Sequence, residues 1–216
     1  DIPGLVVPTT ISITPASPED VFTAIEEQGL ALPVIVRTAG THGGITSLLI
    51  RGREDYDKLH VYAFDGTKYY LTEFVDFASP DGLYRKNRIV VIDGVPVIRH
   101  HLIDQQWMIH GHSRHFLTEN KLLDEEADML RGTFDRQVLP GIRPVIDEIT
   151  RRLQLEYYGI DCNIDEQGQI LIFEVNANMN VLSNKFRLYD DQLSKIKQQI
   201  LQLIKKVANS QAQQAS

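Results

Sequence analysis

Three oxygen-bearing side chains in the segment 159–180, those of Asp161, Glu174 and Asn176, could converge on one face of a pair of strands. Glu174 and Asn176 are two residues apart on a predicted strand and therefore project from one face of it. Asp161 lies on the preceding predicted strand, and a hairpin would bring it onto the same face. Carboxylate and amide oxygens with room for water suit Mg²⁺, which binds through a few carboxylates together with phosphate oxygens. The spacing alone leaves a second interpretation open, a solvated strand face with alternating polar residues.

A glycine-rich loop near the amino end is a second candidate for ligand binding. It follows an apolar strand that ends at Arg37, and it contains His42, Gly43 and Gly44. Glycines let backbone N–H groups approach an anion, and a guanidinium offers a fork of donors to a phosphate. The loop has neither the Gly-Lys-Ser/Thr ending of a phosphate-binding loop nor the spacing of a dinucleotide-binding motif. Taken alone, it is better explained as a flexible hairpin loop.

Histidines are concentrated in one short region, at His100, His101, His110, His112 and His115. A zinc or copper-type site is one hypothesis for them, and structural or surface positions are the interpretation we favour.

Two further features have structural interpretations. The acidic run 124–126 is predicted to be a solvated helix face, and Cys162 is predicted to point into the core.

Composition narrows the class of protein. The chain has 216 residues, 43% of them apolar and 24% charged, which is typical of a globular protein. A net charge of -7 argues against nucleic acid or an anionic membrane as partners. The lone Cys162 excludes an internal disulfide and suits a reducing compartment, so we predict a cytoplasmic protein. Because the sequence begins at Asp1, we expect it to be part of a longer polypeptide.

Strands and helices alternate along the sequence and must position these side chains. Ser17 and Pro18 predict the start of a helix that ends before Gly29. Asp93 and Gly94 predict a tight turn between two strands. The remaining patterns predict strands at 32–36, 45–50, 68–77, 84–92, 95–103, 159–165 and 169–176, and helices at 53–60, 119–139, 142–156 and 188–207.

Taken in order, these segments resemble the ATP-grasp superfamily, in particular glutathione synthetases and the ligases that add glutamate to ribosomal proteins. In that family a cation precedes a glycine-rich lid, and Arg37 to Gly44 is similar. A later strand carries a glutamate and apolar residues that contact adenine. By this resemblance, the nucleotide contacts are Arg37, His42, Gly43, Gly44, Glu73, Phe74 and Val75, with Asp76 at the ribose.

The family also has a hairpin that begins with arginine and turns at Asp-Gly, similar to the run from Arg88 to Pro96 here. The resemblance implies that Arg88 contacts the transferred phosphate or the acyl phosphate, and that Arg99 is a second catalytic cation. The family's Asp and Glu-x-Asn magnesium set matches Asp161, Glu174 and Asn176. Arg37 departs from the family pattern, which usually has lysine at that position.

The resemblance implies an α+β ATP-grasp fold with two lobes around a nucleotide cleft. We expect an entry segment and connecting helix at 1–29, a small lid lobe at 30–77, a larger lobe with the metal site at 78–207 and a frayed tail at 208–216. The amino-terminal domain of the family has no counterpart in this sequence.

The implied function is an ATP- and Mg²⁺-dependent carboxylate–amine ligase that acts through an acyl phosphate on small-molecule or peptide substrates. Two alternatives remain open: a small-molecule kinase of the same fold, and a non-catalytic ATP-binding module. The sequence predicts neither the acceptor and donor substrates nor the oligomeric state.

Overall fold

The computed structural model describes residues 1–41, 46–111, 113–182 and 190–214. The chain forms two compact units: Val7–Asp76 is the smaller, and Asp1–Val6 together with Phe77–Ser216 is the larger. A short strand of the larger unit, β1 (Leu5–Val6), precedes the smaller unit. Helices and mainly antiparallel sheets occur in both units, which confirms the predicted α+β class.

The smaller unit is a four-stranded antiparallel sheet with helices packed on it. Helix α1 begins as predicted, because the Ser17 hydroxyl accepts a hydrogen bond from the Asp20 N–H at 3.3 Å. The strand order is β2-β5-β3-β4, so the segment before residue 30 is part of this sheet. Its elements are β2 (Thr10–Ile13), α1 (Pro18–Glu27), β3 (Val34–Thr38), β4 (Ser47–Ile50), a 3-10 helix (Arg53–Val61) and β5 (Tyr69–Glu73).

The larger unit is a five-stranded sheet in the order β1-β9-β8-β6-β7, with only β1 and β9 parallel. Asp93 and Gly94 have φ values of 50° and 76°, which confirms the predicted tight turn. The elements are β6 (Tyr84–Ile92), β7 (Val95–Asp104), α2 (Ser113–Glu119), α3 (Leu123–Asp128), a π-helical segment (Met129–Val138), α4 (Leu139–Leu153), β8 (Tyr157–Ile164), β9 (Ile170–Asn176) and α5 (Asp190–Gln214).

The two faces of this sheet have different environments. One face packs on α4 through an apolar core that includes Ile89, Ile160 and Cys162, so the predicted core position of Cys162 is confirmed. Val90 on the other face packs with Ile196 of α5. Alternation along each strand separates the two sets of side chains.

Two helix predictions need correction. The single helix predicted at 119–139 is wrong. Lys121 has a φ of 59° and Gly132 a φ of 142°, and neither angle is compatible with a continuous α-helix. Helix α5 continues to Gln214, past the predicted end near 207. Among the described residues, no helix combines the length and the apolar content that crossing a membrane requires.

Candidate functional site

A row of polar side chains crosses four strands of the larger sheet. Glu174 on β9 lies opposite Asp161 on β8, Asp161 lies opposite Arg88 on β6, and Arg88 lies opposite His100 on β7. Opposed residues of an antiparallel pair project from one face of the sheet. Asn176 lies opposite Gly159, two residues from Asp161, and shares that face. The structure therefore brings together the three residues predicted to bind metal, with Arg88 beside them.

Asp161 is the most tightly held member of this row. Arg88 donates to both of its carboxylate oxygens, from Nε at 2.6 Å and from Nη2 at 2.8 Å. Lys86 Nζ lies 3.1 Å from Oδ2, and the Asp161 side chain is only 4% exposed. Burial raises the pKa of Asp161, but the hydrogen bond from Arg88 and the charges of Lys86 and Arg88 outweigh it and lower the pKa to about 2. Asp161 is therefore ionised at neutral pH.

The other two predicted metal ligands also have hydrogen-bond partners. Asn176 Nδ2 donates to Glu174 Oε1 at 3.0 Å. The Asn178 backbone N–H donates to Asn176 Oδ1 at 2.7 Å. The amide oxygen of Asn176 thus stabilises the turn that follows β9, on the side of the sheet that carries Asp161.

A β-bulge in β7 places both Arg99 and His100 opposite Arg88. Arg99 is 5% exposed and donates from Nε to the Val181 carbonyl at 2.7 Å. Burial lowers the pKa of Arg99, and the charges of Arg88 and Arg114 lower it further. Arg99 therefore supports the backbone after β9, and its role as a second catalytic cation stays a prediction.

His100 ends the row on β7. Its Nε2 is buried and has no hydrogen-bond partner among the described residues. Burial, followed by the positive charge of Arg88, lowers the pKa of His100 well below its ordinary value. The imidazole is therefore neutral at pH 7, next to a group of cations.

The segment 177–182 covers part of this face and is held at several points. The Tyr157 hydroxyl donates to the Met179 carbonyl at 2.7 Å. A Cβ added at Gly159 would overlap the Met179 side chain, so only glycine allows this approach. Together with the bond from Arg99 to Val181, these contacts fix the backbone that follows Asn176.

In the smaller unit, the residues predicted to contact nucleotide lie at strand ends. Arg37 on β3 donates from Nη2 to the Thr41 carbonyl at 2.8 Å, and its buried Nε has no partner among the described residues. Glu73 at the end of β5 accepts from the Ala31 N–H at 2.8 Å, and this hydrogen bond is the main cause of its lowered pKa. The Phe74 N–H donates to the Pro33 carbonyl at 2.9 Å.

The other predicted nucleotide contacts divide into two groups. Val75 and Asp76 are exposed after β5. His42, Gly43 and Gly44 lie outside the described residues. The adenine, ribose and lid roles of these residues stay predictions.

In the histidine region, His101 is hydrogen-bonded to side chains of neighbouring elements. His101 Nδ1 lies 2.7 Å from Asn87 Oδ1, and His101 Nε2 lies 3.3 Å from Glu125 Oε1. His115 is exposed. Within 1–41, 46–111, 113–182 and 190–214, no group of three or more His, Cys, Asp or Glu side chains could hold a metal ion. The zinc or copper hypothesis therefore has no support in this part of the chain, and His112 lies outside it.

The predicted solvated helix face at 124–126 is wrong for Glu126, whereas Asp124 is exposed as predicted. The Glu126 side chain is fully buried and accepts two hydrogen bonds from Arg114. Glu125 accepts from Arg85 Nε at 2.7 Å. Glu125 and Glu126 therefore pair with arginines of neighbouring elements.

Sequence reasoning missed Lys86 and His100 as members of the site face. Lys86 precedes Arg88 by two residues, so strand periodicity alone could have placed it beside Arg88. His100 reaches this face through the bulge, which leaves no signal in the hydrophobic pattern. Lys86 also donates to the Ile109 carbonyl at 3.1 Å, which holds its ammonium near Asp161.

The donor set fits the group that it was predicted to bind. Two carboxylates and an amide oxygen are the ligand types that Mg²⁺ prefers. Lys86 and Arg88 add two cations on the same face, and cations of this kind bind phosphate oxygens. The arrangement therefore suits a divalent cation accompanied by a polyphosphate.

Comparison with solved structures identifies the fold. The chain is similar to the D-alanine–D-alanine ligase of Coxiella burnetii, with 11% identity and a TM-score of 0.51 over 95% of this chain and 55% of that one. It is also similar to carboxyaminoimidazole ribonucleotide synthase of Aspergillus clavatus, solved with ATP, with 12% identity and a TM-score of 0.50 over 82% of this chain and 42% of that one. No protein-family model and no curated protein sequence gives a match.

These two structures are ATP-grasp ligases, and the chain has the ATP-grasp fold. The predicted fold is thereby confirmed. The chain spans about half the length of these proteins, between 42% and 55%.

Proposed function

We propose that the chain is the ATP-binding core of an ATP- and Mg²⁺-dependent carboxylate–amine ligase. The observation that carries this proposal is the cross-strand row of Glu174, Asp161 and Arg88, with Asn176 on the same face, within an ATP-grasp fold. Under this proposal the substrates are a small-molecule or peptide carboxylate and an amine.

Residues of both units have assigned roles in this proposal. In the smaller unit, we assign Arg37 and the glycine-rich loop to the phosphates and 73–76 to the base and ribose. In the larger unit, Asp161, Glu174 and Asn176 would hold magnesium, which when bound neutralises charge on the phosphate oxygens. Arg88 and Lys86 would bind the oxygens of the transferred phosphate.

The proposed reaction has two displacements. A carboxylate oxygen of the substrate attacks the γ-phosphorus of ATP, the bond to the bridging oxygen breaks, and ADP leaves. An amine nitrogen then attacks the acyl carbon, phosphate leaves with the electrons of the broken carbon–oxygen bond, and the nitrogen loses a proton. Neither displacement needs a nucleophile from the protein, so the contribution of the chain is positioning and charge stabilisation.

Calorimetry with a non-hydrolysable ATP analogue and Mg²⁺ tests the site. We expect the Asp161→Ala, Glu174→Ala double variant to bind the complex roughly 100-fold more weakly than the parent. Asp147→Ala is the matched control, because Asp147 is an exposed carboxylate paired with Arg143 on α4. Parent-like affinity in the double variant would contradict the assignment.

Product analysis separates the ligase from its alternatives. Incubation with ATP and panels of carboxylates and amines should give ADP, phosphate and an amide, all dependent on the amine. A phosphoester that forms without amine would establish the kinase. Nucleotide binding without turnover across the panels would favour the non-catalytic module.

A further inference from the structure

The three proposed metal ligands are occupied by other groups of the protein. Asp161 is bound through both oxygens by Arg88 and through Oδ2 by Lys86. Glu174 accepts a hydrogen bond from the Asn176 amide, and Asn176 Oδ1 accepts one from the Asn178 N–H. A divalent cation that binds Asp161 must therefore displace the two protein cations or lie directly beside them.

Repulsion makes either arrangement unfavourable for a free cation. The Arg88 and Lys86 nitrogens lie 2.6 and 3.1 Å from the Asp161 oxygens, so an incoming ion would meet two like charges at short range. Asp161 is almost fully buried, and a partly buried site screens such repulsion less than water does.

A polyphosphate changes this balance. A guanidinium fork matches phosphate oxygens as well as it matches a carboxylate, and an ammonium also binds phosphate. The Arg88 side chain is 26% exposed and the Lys86 side chain is 16% exposed, so a ligand in solvent can contact both of them. Phosphate oxygens can therefore accept the two cations and leave the Asp161 carboxylate to the metal.

We propose that Arg88 and Lys86 are specificity determinants that exclude free divalent cations and admit a divalent cation only in complex with a polyphosphate. This inference rests on the proposed function, since it assumes that Asp161 is a metal ligand. It assigns to Lys86 a role that the family motif does not give it, and to Arg88 a second role besides contact with phosphate.

The experiment is a titration with Mn²⁺ in which electron paramagnetic resonance measures the unbound ion, first without nucleotide. The parent should show no binding into the millimolar range. Arg88→Met should bind Mn²⁺ roughly tenfold more tightly or better, and Lys86→Met should show a smaller gain, because each removes one repelling charge. Arg143→Met, which removes an exposed arginine on α4, is the matched control and should behave as the parent does.

With a non-hydrolysable ATP analogue present, the same titration should reverse the order of the affinities for Mn²⁺. The parent should bind the Mn²⁺–nucleotide complex, and Arg88→Met should bind it roughly tenfold more weakly. Arg88→Lys keeps the charge and loses the fork, so it should still exclude free Mn²⁺ while it binds the complex less tightly. Circular dichroism checks that each variant folds, and Lys86→Met gives the same test if Arg88→Met does not fold.

Two results would separate the failure of this inference from the failure of the proposed function. If the parent binds Mn²⁺ without nucleotide as tightly as Arg88→Met does, the exclusion is overturned and the ligase proposal stands. If the Asp161→Ala, Glu174→Ala variant binds the Mn²⁺–nucleotide complex as the parent does, the metal assignment itself fails.

Discussion

Two buried arginine–carboxylate pairs in the larger unit have nearly the same geometry and different surroundings. Arg88 donates hydrogen bonds of 2.6 and 2.8 Å to the two carboxylate oxygens of Asp161, and Arg114 donates hydrogen bonds of 2.9 and 2.8 Å to those of Glu126. The carboxylate side chains are 4% and 0% exposed. The pKa of Asp161 is lowered to about 2, whereas burial outweighs Arg114 and raises the pKa of Glu126.

The difference shows that a bidentate ion pair does not by itself indicate a structural or a functional role. Asp161 has a second cation, Lys86, and a neighbouring carboxylate in the same row. Glu126 on α3 and Arg114 on α2 connect two helices. We infer that the first pair is suited to exchanging partners with a ligand and that the second stabilises the fold.

The largest expected loss of stability follows from breaking the pair of Arg114 and Glu126. Arg114→Met would leave a fully buried carboxylate without its guanidinium, so the free energy of unfolding should fall by about 3–5 kcal/mol. Urea denaturation measures it. Arg131→Met is the control, because Arg131 lies 3.7 Å from Asp128 in an exposed pair, and it should change stability by less than about 0.5 kcal/mol. A loss below about 1 kcal/mol in Arg114→Met would contradict the structural role.

A smaller loss of stability is expected for Arg88→Met. Asp161 keeps Lys86 as a partner, so the free energy of unfolding should fall by about 1–3 kcal/mol. The same urea series measures it. If Arg88→Met is as destabilising as Arg114→Met, the two pairs are energetically alike and the distinction between them is wrong.

The pH dependence of Glu126→Gln tests the direction of its pKa shift. The pKa of Glu126 in the folded chain lies above its ordinary value of 4.5, because burial disfavours the charged form. The stability that this shift contributes is fully present below pH 4.5 and is lost as the pH rises through the folded pKa. The parent should therefore gain stability over Glu126→Gln as the pH falls from 7 to 4.5, in urea midpoints recorded at several pH values. A difference that shrinks on acidification would contradict it.

Glu125, the preceding residue, should respond in the opposite sense. The hydrogen bond from His101 is the main cause that lowers its pKa to about 2, with burial opposing and Arg85 adding to it. The stability from this shift is present above pH 4.5 and is lost as the pH falls toward 2. In melting temperatures between pH 5 and pH 2, Glu125→Gln should lose less stability than the parent. The effect should be the smallest of the four, because the Glu125 side chain is 36% exposed.

Local signals in the sequence predicted much of this fold. Ser17 with Pro18, and Asp93 with Gly94, define a helix start and a turn through their own backbone and side-chain preferences. Period-two alternation also placed Glu174 and Asn176 on the face of Asp161 correctly, because β8 and β9 form a hairpin whose register keeps that face together.

What the sequence could not show depends on contacts between distant segments. The bulge that turns His100 to the site face is defined only by pairing with β6. The burial of Glu126 depends on Arg114, which a solvent-exposed helix pattern does not reveal. The break at Gly132 was hidden because apolar residues recur at helical spacing on both sides of it.

The extra residue in β7 has a consequence for how the length of this strand can vary. Ile98 lies opposite Ile89 and His100 lies opposite Arg88, so Arg99 is the one residue of the strand without a place in the alternation. Deleting it would leave every other side chain of β7 on its present face. Loss of Arg99 would thus remove its hydrogen bond to Val181 while the other β7 side chains keep their present faces.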